Sequence, residues 1–250
     1  MCVHIFIVPG NPGIVEYYND FISEFKDIKM TVLKYNNFSE TSEKLFSILE
    51  EQKHIKNQII NLINYNDKNI IVGHSIGGWI SLRLMEEINF DSCILITPFL
   101  RKDFLSYKQV IFKLLLSKRD IINNFYKSLK KNFLTCLIIE RVINDFDMSD
   151  NAKEITKKYF IKNDDIFYGC LTLANSEFET LNYTLNLSLM NKFKDKLKFY
   201  YCENDMWAPK VDFYILKLLS FDVDIVNIKH DFCVRKKDNK ILSTKISTFF

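Results

Sequence analysis

The stretch Asn69-Ile70-Ile71-Val72-Gly73-His74-Ser75-Ile76-Gly77-Gly78 decides how the rest of the chain is read. Its first four residues make a short apolar run rich in β-branched side chains, the composition of a strand buried on both faces. Gly73-x-Ser75-x-Gly77 follows at once, and helical spacing of apolar residues continues over 78–88. Strand, Gly-x-Ser-x-Gly and helix in that order make a nucleophile elbow, a strained turn whose small flanking residues let a serine hydroxyl stand above the sheet edge. Ser75 is the expected nucleophile, with Gly73 and Gly77 as the residues that permit the turn. An ordinary glycine-rich strand-to-helix turn is the alternative.

The same punctuation recurs on either side. The chain has only six glycines and four prolines. Five of those glycines fall in the elbow and in Pro9-Gly10-Asn11-Pro12-Gly13, which follows a second apolar run at 2–8. Further strand-like runs at 29–34, 92–97, 197–202 and 223–228 alternate with helical patterns over 42–63 and 211–219. Such alternation predicts an α/β fold, a mostly parallel sheet with helices on both faces and ligands bound outside the carboxyl ends of the strands. From about 99 to about 191 the pattern turns mainly helical, which predicts one domain over 1–250 with a helical cap inserted there.

Composition removes several classes. Over 250 residues, 48% hydrophobic and 26% charged side chains are ordinary globular values and exclude disorder. Thirty-four basic against 31 acidic residues, a net +3, give no footprint for nucleic acid. The six cysteines show neither C-x-x-C nor metal-ligand spacing, so buried reduced thiols are expected, with no metal and no cofactor. The opening MCVHIFIVPG lacks a basic leader and a cleavage site, and no apolar stretch reaches the ~20 residues of a membrane span. A cytoplasmic, non-secreted protein without a transmembrane span is the expectation.

A nucleophilic serine needs a base, and behind an elbow the partners follow in the order serine, acid, histidine. Of the four histidines, His4 lies in the first strand, His54 on an upstream helix, and His74 beside Ser75, where its ring cannot easily reach the hydroxyl. His230, after the last predicted strand, is the expected base. Asp205, in Glu203-Asn204-Asp205-Met206-Trp207-Ala208-Pro209 directly after the run at 197–202, is the expected acid. Glu203 is the neighbouring alternative, and Asp145 or Asp147 would require the cap to supply it. A developing oxyanion needs backbone donors. Ile76 offers one, and Asn11 the other, because Pro12 has no N–H and Gly10 lets the backbone approach. A phosphate-binding loop is the competing reading, though neither G-x-G-x-x-G nor GK[ST] is present. Tyr17, Tyr18 and Trp207 read as packing and pocket-wall residues.

Residues 101–141 interleave aromatics such as Phe104, Tyr107 and Phe125 with lysines such as Lys102, Lys113 and Lys127. A basic amphipathic stretch of this kind can lie on a membrane surface or form a solvated helix face over a core.

With these residues in place, the chain resembles the α/β-hydrolase superfamily and, more narrowly, the lipid-droplet-associated hydrolase family. The motifs similar to that family's are Pro9-Gly10-Asn11-Pro12-Gly13 with Tyr17-Tyr18, Gly73-His74-Ser75-Ile76-Gly77, Asp205-x-Trp207-x-Pro209 and His230-x-Phe232. The resemblance implies an α/β-hydrolase fold and serine esterase chemistry on neutral lipid esters, cholesteryl or acylglycerol, at lipid droplets or the endoplasmic reticulum. The chain departs from that pattern in starting almost at the strand that bears the Pro9–Gly13 loop, so the two antiparallel strands that usually precede it in α/β-hydrolases are expected to be missing. Two rival functions remain: a weakly active or inactive hydrolase-fold module that binds droplet or membrane surfaces through 101–141, and a short-chain acyl or thioester hydrolase.

Overall fold

The computed structural model describes residues 2–38, 44–163 and 165–249. Six strands, β1 (Val3–Val8), β2 (Lys29–Val32), β3 (Lys68–His74), β4 (Ser92–Ile96), β5 (Leu197–Tyr201) and β6 (Asp222–Ile225), form one sheet. Its order is β2-β1-β3-β4-β5-β6, and every neighbouring pair is parallel. No antiparallel strand occurs among the described residues. The apolar runs of the inner strands are covered on both faces, with Phe6, Ile71, Ile94 and Phe199 fully buried. This is an α/β-hydrolase fold.

The strand order reverses between β1 and β3, so the loops that leave these two strands diverge at adjacent carboxyl ends, where open parallel sheets offer a crevice. Pro9–Gly13 and the Ser75 turn both sit there. The edge strands β2 and β6 are shorter than the runs at 29–34 and 223–228 suggest, because each has a partner on one side only. Their ladders fade gradually, with Leu33 N–H still donating to Ile7 C=O at 2.9 Å and Val226 N–H to Tyr201 C=O at 2.8 Å.

Outside the insertion the helices are α1 (Asn19–Ile22), α2 (Ile48–Leu62), α3 (Ile76–Leu84), and later α10 (Lys210–Leu218) and α11 (Lys236–Ile246). Helix α2 begins well after the expected start at 42, and Ser42 itself lies outside the described residues. Ser47-x-x-Glu50 sets the start as a capping box: Glu50 N–H donates to Ser47 Oγ at 3.3 Å, and Ser47 N–H donates to Glu50 Oε2 at 2.8 Å.

Between β4 and β5 the described chain contains helices and loops but no strand. It runs through α4 (Tyr107–Leu116), α5 (Arg119–Lys130), α6 (Phe133–Asp145), α7 (Asp150–Thr156), α8 (Ile166–Thr180) and α9 (Leu187–Lys192). Helix α8 is the inner one, burying Leu171, Leu173, Ala174 and Phe178. Its Gly169 passes so close to the Asn37 carbonyl that a Cβ would lie 2.7 Å from that oxygen. Helices α4 to α6 bury little: Leu114, Phe125, Phe133 and Leu134 are all exposed. No helix among the described residues is long and apolar enough to cross a membrane. The cysteines are free; Cys93, Cys202 and Cys233 are buried as expected, whereas Cys2 is exposed and Cys136 and Cys170 are half-buried.

Candidate active site

Ser75 caps the N-terminus of α3 with φ 53° and ψ −122°, a conformation that a residue with a Cβ adopts only under strain. The backbone around it holds the turn. Ser75 N–H donates to Ile96 C=O at 3.1 Å, and its own carbonyl accepts from Gly78 N–H and Phe99 N–H, both at 2.9 Å. Close approach explains the glycines. A Cβ on Gly73 would lie 2.5 Å from Gly77 C=O, and one on Gly77 would lie 2.5 Å from Pro9 C=O and overlap the Val8 carbonyl.

The turn brings Ser75 Oγ to 2.9 Å from His230 Nε2, and His230 Nδ1 lies 2.7 Å from Asp205 Oδ2. An ionised Asp205 can only accept, so Nδ1 carries the proton and Nε2 is left to accept from the serine hydroxyl. Asp205 follows β5. Its Oδ1 accepts from Trp207 N–H at 2.8 Å and Ala208 N–H at 3.1 Å, an Asx-type turn that closes just ahead of Pro209 at the start of α10. Burial pushes the Asp205 carboxyl up. The His230 hydrogen bond and charge, with the two amides, outweigh that and hold it below its ordinary range. The Cys202 thiol adds a weak bond to Oδ2 at 3.4 Å. Glu203 points elsewhere, to Lys210 Nζ at 3.3 Å, and Asp147 pairs with Arg235.

The Pro9–Gly13 loop lies against the serine, since a Cβ on Gly10 would stand 3.1 Å from Ser75 Cβ. Gly10 N–H donates to Tyr18 Oη at 3.0 Å. Neither Asn11 N–H nor Ile76 N–H has an acceptor among the described residues, which leaves both amides available as donors. The Asn11 side chain is anchored to the insertion, donating to Cys170 C=O at 3.0 Å and to Glu177 Oε1 at 3.1 Å.

His74, set aside in the sequence as unable to serve Ser75, has a different placement. Its Nε2 lies 2.8 Å from the His230 carbonyl, which can only accept, so Nε2 is protonated and Nδ1 accepts from Tyr18 Oη at 2.7 Å. Burial, with a contribution from His230, holds the His74 pKa down at about 3, so the ring is neutral. Tyr18, which reads in the sequence as a packing residue, is thus a hydrogen-bonding link. Glu177 was missed altogether; only its place in the long helical insertion could have drawn attention to it.

A chamber of about 300 Å³ opens onto Ser75 and His230, walled by Phe99, Phe112, Phe167 and Trp207 with Leu171 and Ala174 from α8. The aromatics interlock, with Trp207 ring centroids 5.4 Å from Phe99 and 5.2 Å from Phe112. A hydroxyl bonded to an imidazole that a carboxylate orients, with backbone amides available in the neighbouring turns and an apolar chamber opening onto it, is an arrangement suited to acyl transfer.

The Rhodococcus 2-hydroxy-6-oxo-6-phenylhexa-2,4-dienoate hydrolase superposes with a TM-score of 0.67 at 15% identity, over 99% of this chain and 89% of its own. A lipase-esterase related protein from Clostridium acetobutylicum gives 0.64 at 15%, over 99% and 94%. At these identities the likeness is one of fold. In sequence, the lipid droplet-associated hydrolase of Dictyostelium discoideum is 23% identical over 237 residues, covering 83% of this chain and 73% of the relative. The family model for lipid-droplet associated hydrolases matches residues 2–233, a span that opens just before β1 and closes past His230, taking in every residue that meets at Ser75. The chain therefore belongs to the lipid-droplet associated hydrolase family.

Proposed function

We propose that this protein is a serine hydrolase that cleaves carboxylic esters of neutral lipids, cholesteryl or acylglycerol, through an acyl-enzyme. The observation that carries this reading is the hydrogen-bonded line from Ser75 Oγ to His230 at 2.9 Å and on to Asp205 at 2.7 Å. Ser75 Oγ attacks the ester carbonyl carbon while its proton passes to His230 Nε2. Asp205 holds the imidazole in one tautomer and stabilises the imidazolium. The oxygen that becomes negative accepts from the Asn11 and Ile76 amides. His230 then returns the proton to the departing alcohol, the C–O bond breaks, and the acyl group stays on Ser75. Water, deprotonated by His230, attacks the acyl-enzyme and releases the acid.

The helical insertion serves as the cap of a single domain, and its aromatic chamber suits an acyl group. Phe104 and Leu105 just before α4, and Leu114, Phe125 and Phe133 on the outer helices, stand exposed in a lysine-rich stretch, as expected of a surface that touches a droplet or endoplasmic reticulum membrane. The name of the Dictyostelium relative favours the same location.

The test is labelling with a fluorophosphonate probe, which reports an activated serine whatever the substrate. Wild-type protein is expected to label, and Ser75→Ala and His230→Ala to lose the label. A folded wild type that does not label would remove the enzymatic reading and leave a surface-binding module. Comparing chain lengths of acyl esters and thioesters separates lipid cleavage from the short-chain alternative.

A further inference from the structure

The chamber wall contains one carboxyl group, and nothing in the mechanism above uses it. Glu177 projects from α8 and is 5% exposed among the apolar and aromatic residues of the wall. No cation pairs with it among the described residues. Its Oε1 accepts from Asn11 Nδ2 at 3.1 Å, and its Oε2 has no partner among the described residues. Burying a carboxyl without a counter-charge is costly, and a leucine would close an apolar wall better. Holding the Asn11 side chain does not by itself call for an acid, because the same amide already donates to Cys170 C=O at 3.0 Å.

We propose that Glu177 is a specificity residue that binds a hydroxyl group of the substrate through Oε2, so that the ester this chamber is built for bears a free hydroxyl near its scissile carbonyl, as a partial glyceride does. The inference rests on the reading of Ser75 as nucleophile. Asn11 ties Glu177 to the loop whose amide would hold the oxyanion, which keeps the bound hydroxyl close to the reacting carbonyl. Burial pushes the Glu177 carboxyl up to about 8, against the smaller pull of the Asn11 bond, so it carries a proton near neutrality. With Oε1 accepting from Asn11, the proton resides on Oε2, which can then both donate to and accept from a hydroxyl. The chamber, at about 300 Å³, stands at the small end of ligand pockets, which favours a compact mono-ester over a bulky fully esterified lipid.

The experiment compares kcat/KM for glyceryl monobutyrate and propyl butyrate, esters of one acid that differ in free hydroxyls, in wild type, Glu177→Gln and Glu177→Leu. The ratio of the two values is the readout, because a general loss of activity does not move it. Wild type is expected to favour the glyceryl ester by about tenfold to a hundredfold, the worth of a hydrogen bond in a buried site. Glu177→Gln should keep part of that preference, and Glu177→Leu should bring the ratio to about one. A wild type that labels with fluorophosphonate yet shows no preference, or a Leu variant that retains the wild-type ratio, would overturn the inference and leave Ser75 as nucleophile. Absence of labelling would overturn both.

Discussion

Tyr18 Oη lies 2.7 Å from His74 Nδ1 and gives it the phenolic proton, while its own oxygen takes the Gly10 amide proton at 3.0 Å. Through the His74 bond to the His230 carbonyl, this one phenol joins the first loop, the serine turn and the histidine loop in a single directed chain. Thr97 Oγ1 adds a long bond to the same carbonyl at 3.5 Å.

Tyr18→Phe keeps the ring and removes both bonds, leaving the Gly10 amide and His74 Nδ1 buried and unsatisfied. A loss of about 1–3 kcal/mol of stability is expected. Because Gly10 adjoins the Asn11 amide, kcat should fall more than KM rises. Urea unfolding and steady-state kinetics on a soluble ester read the two effects; a rise in KM with unchanged kcat would remove Tyr18 as a positioning residue.

Ser75→Ala should lower turnover by on the order of 10⁶-fold. Asp205→Asn keeps an oxygen for the Trp207 and Ala208 amides but loses the charge that favours the imidazolium, and about 10⁴-fold in kcat should go with it. Glu203→Gln, an exposed side chain paired with Lys210, should change kcat little. Large loss in Glu203→Gln with Asp205→Asn active would reverse the assignment of the acid.

His74 makes stability depend on pH. Its pKa is held at about 3 when folded and returns to about 6.5 when unfolded, so between those values the unfolded chain binds a proton that the folded one excludes. Stability from this group therefore falls as the medium is acidified, by about 1.4 kcal/mol per pH unit. Glu177 and Glu51, raised by burial to about 8 and about 7, act in the opposite sense above the ordinary carboxylate range. The wild-type curve therefore sums opposing terms, and the difference between wild type and His74→Gln isolates the one that belongs to His74. Urea unfolding at about pH 7, 6 and 5 should show that difference shrinking with acid; parallel curves would mean that His74 takes up its proton as readily folded as unfolded.

The two glycines that adjoin the serine should respond differently to alanine. Gly77→Ala drives a Cβ into the Val8 and Pro9 carbonyls, and at least about 1–3 kcal/mol of stability should be lost, because backbone cannot move aside. At Gly10 the neighbours are Ser75 Cβ at 3.1 Å and His74 Nδ1 at 3.2 Å, contacts that can yield slightly. Gly10→Ala should remain folded and lose activity by displacing the serine. Thermal unfolding and fluorophosphonate labelling of both variants check the contrast.

What the sequence makes legible is local. A Gly-x-Ser-x-Gly between strand and helix, an aspartate just after a strand and the last histidine in the chain can each be found without tertiary knowledge, and the structure brings Ser75, Asp205 and His230 within hydrogen-bonding distance. Tyr18 with His74 and Asn11 with Glu177 are contacts between distant segments, and neither periodicity nor a motif marks them. The start of α2 could have been read, since Ser47-x-x-Glu50 is a capping signal in plain sight. The outer helices could not. Their spacing suits a helix over a core equally well, and only packing shows that Phe125 and Phe133 have no core beneath them.

Strands β4 and β5 are neighbours in the sheet, Cys93 pairing with Leu197, yet the whole helical insertion separates them along the chain. Joining them closes a very long loop, an entropic cost that no local contact offsets beforehand. The proposed nucleophile belongs to the half made before that loop, and its acid and base belong to the half made after it. As the polypeptide emerges from the ribosome N-terminus first, Ser75 is therefore an ordinary serine until the residues through His230 have been released and docked. On the proposed reading of Ser75, a nascent chain that has not yet released His230 is expected to be hydrolytically silent.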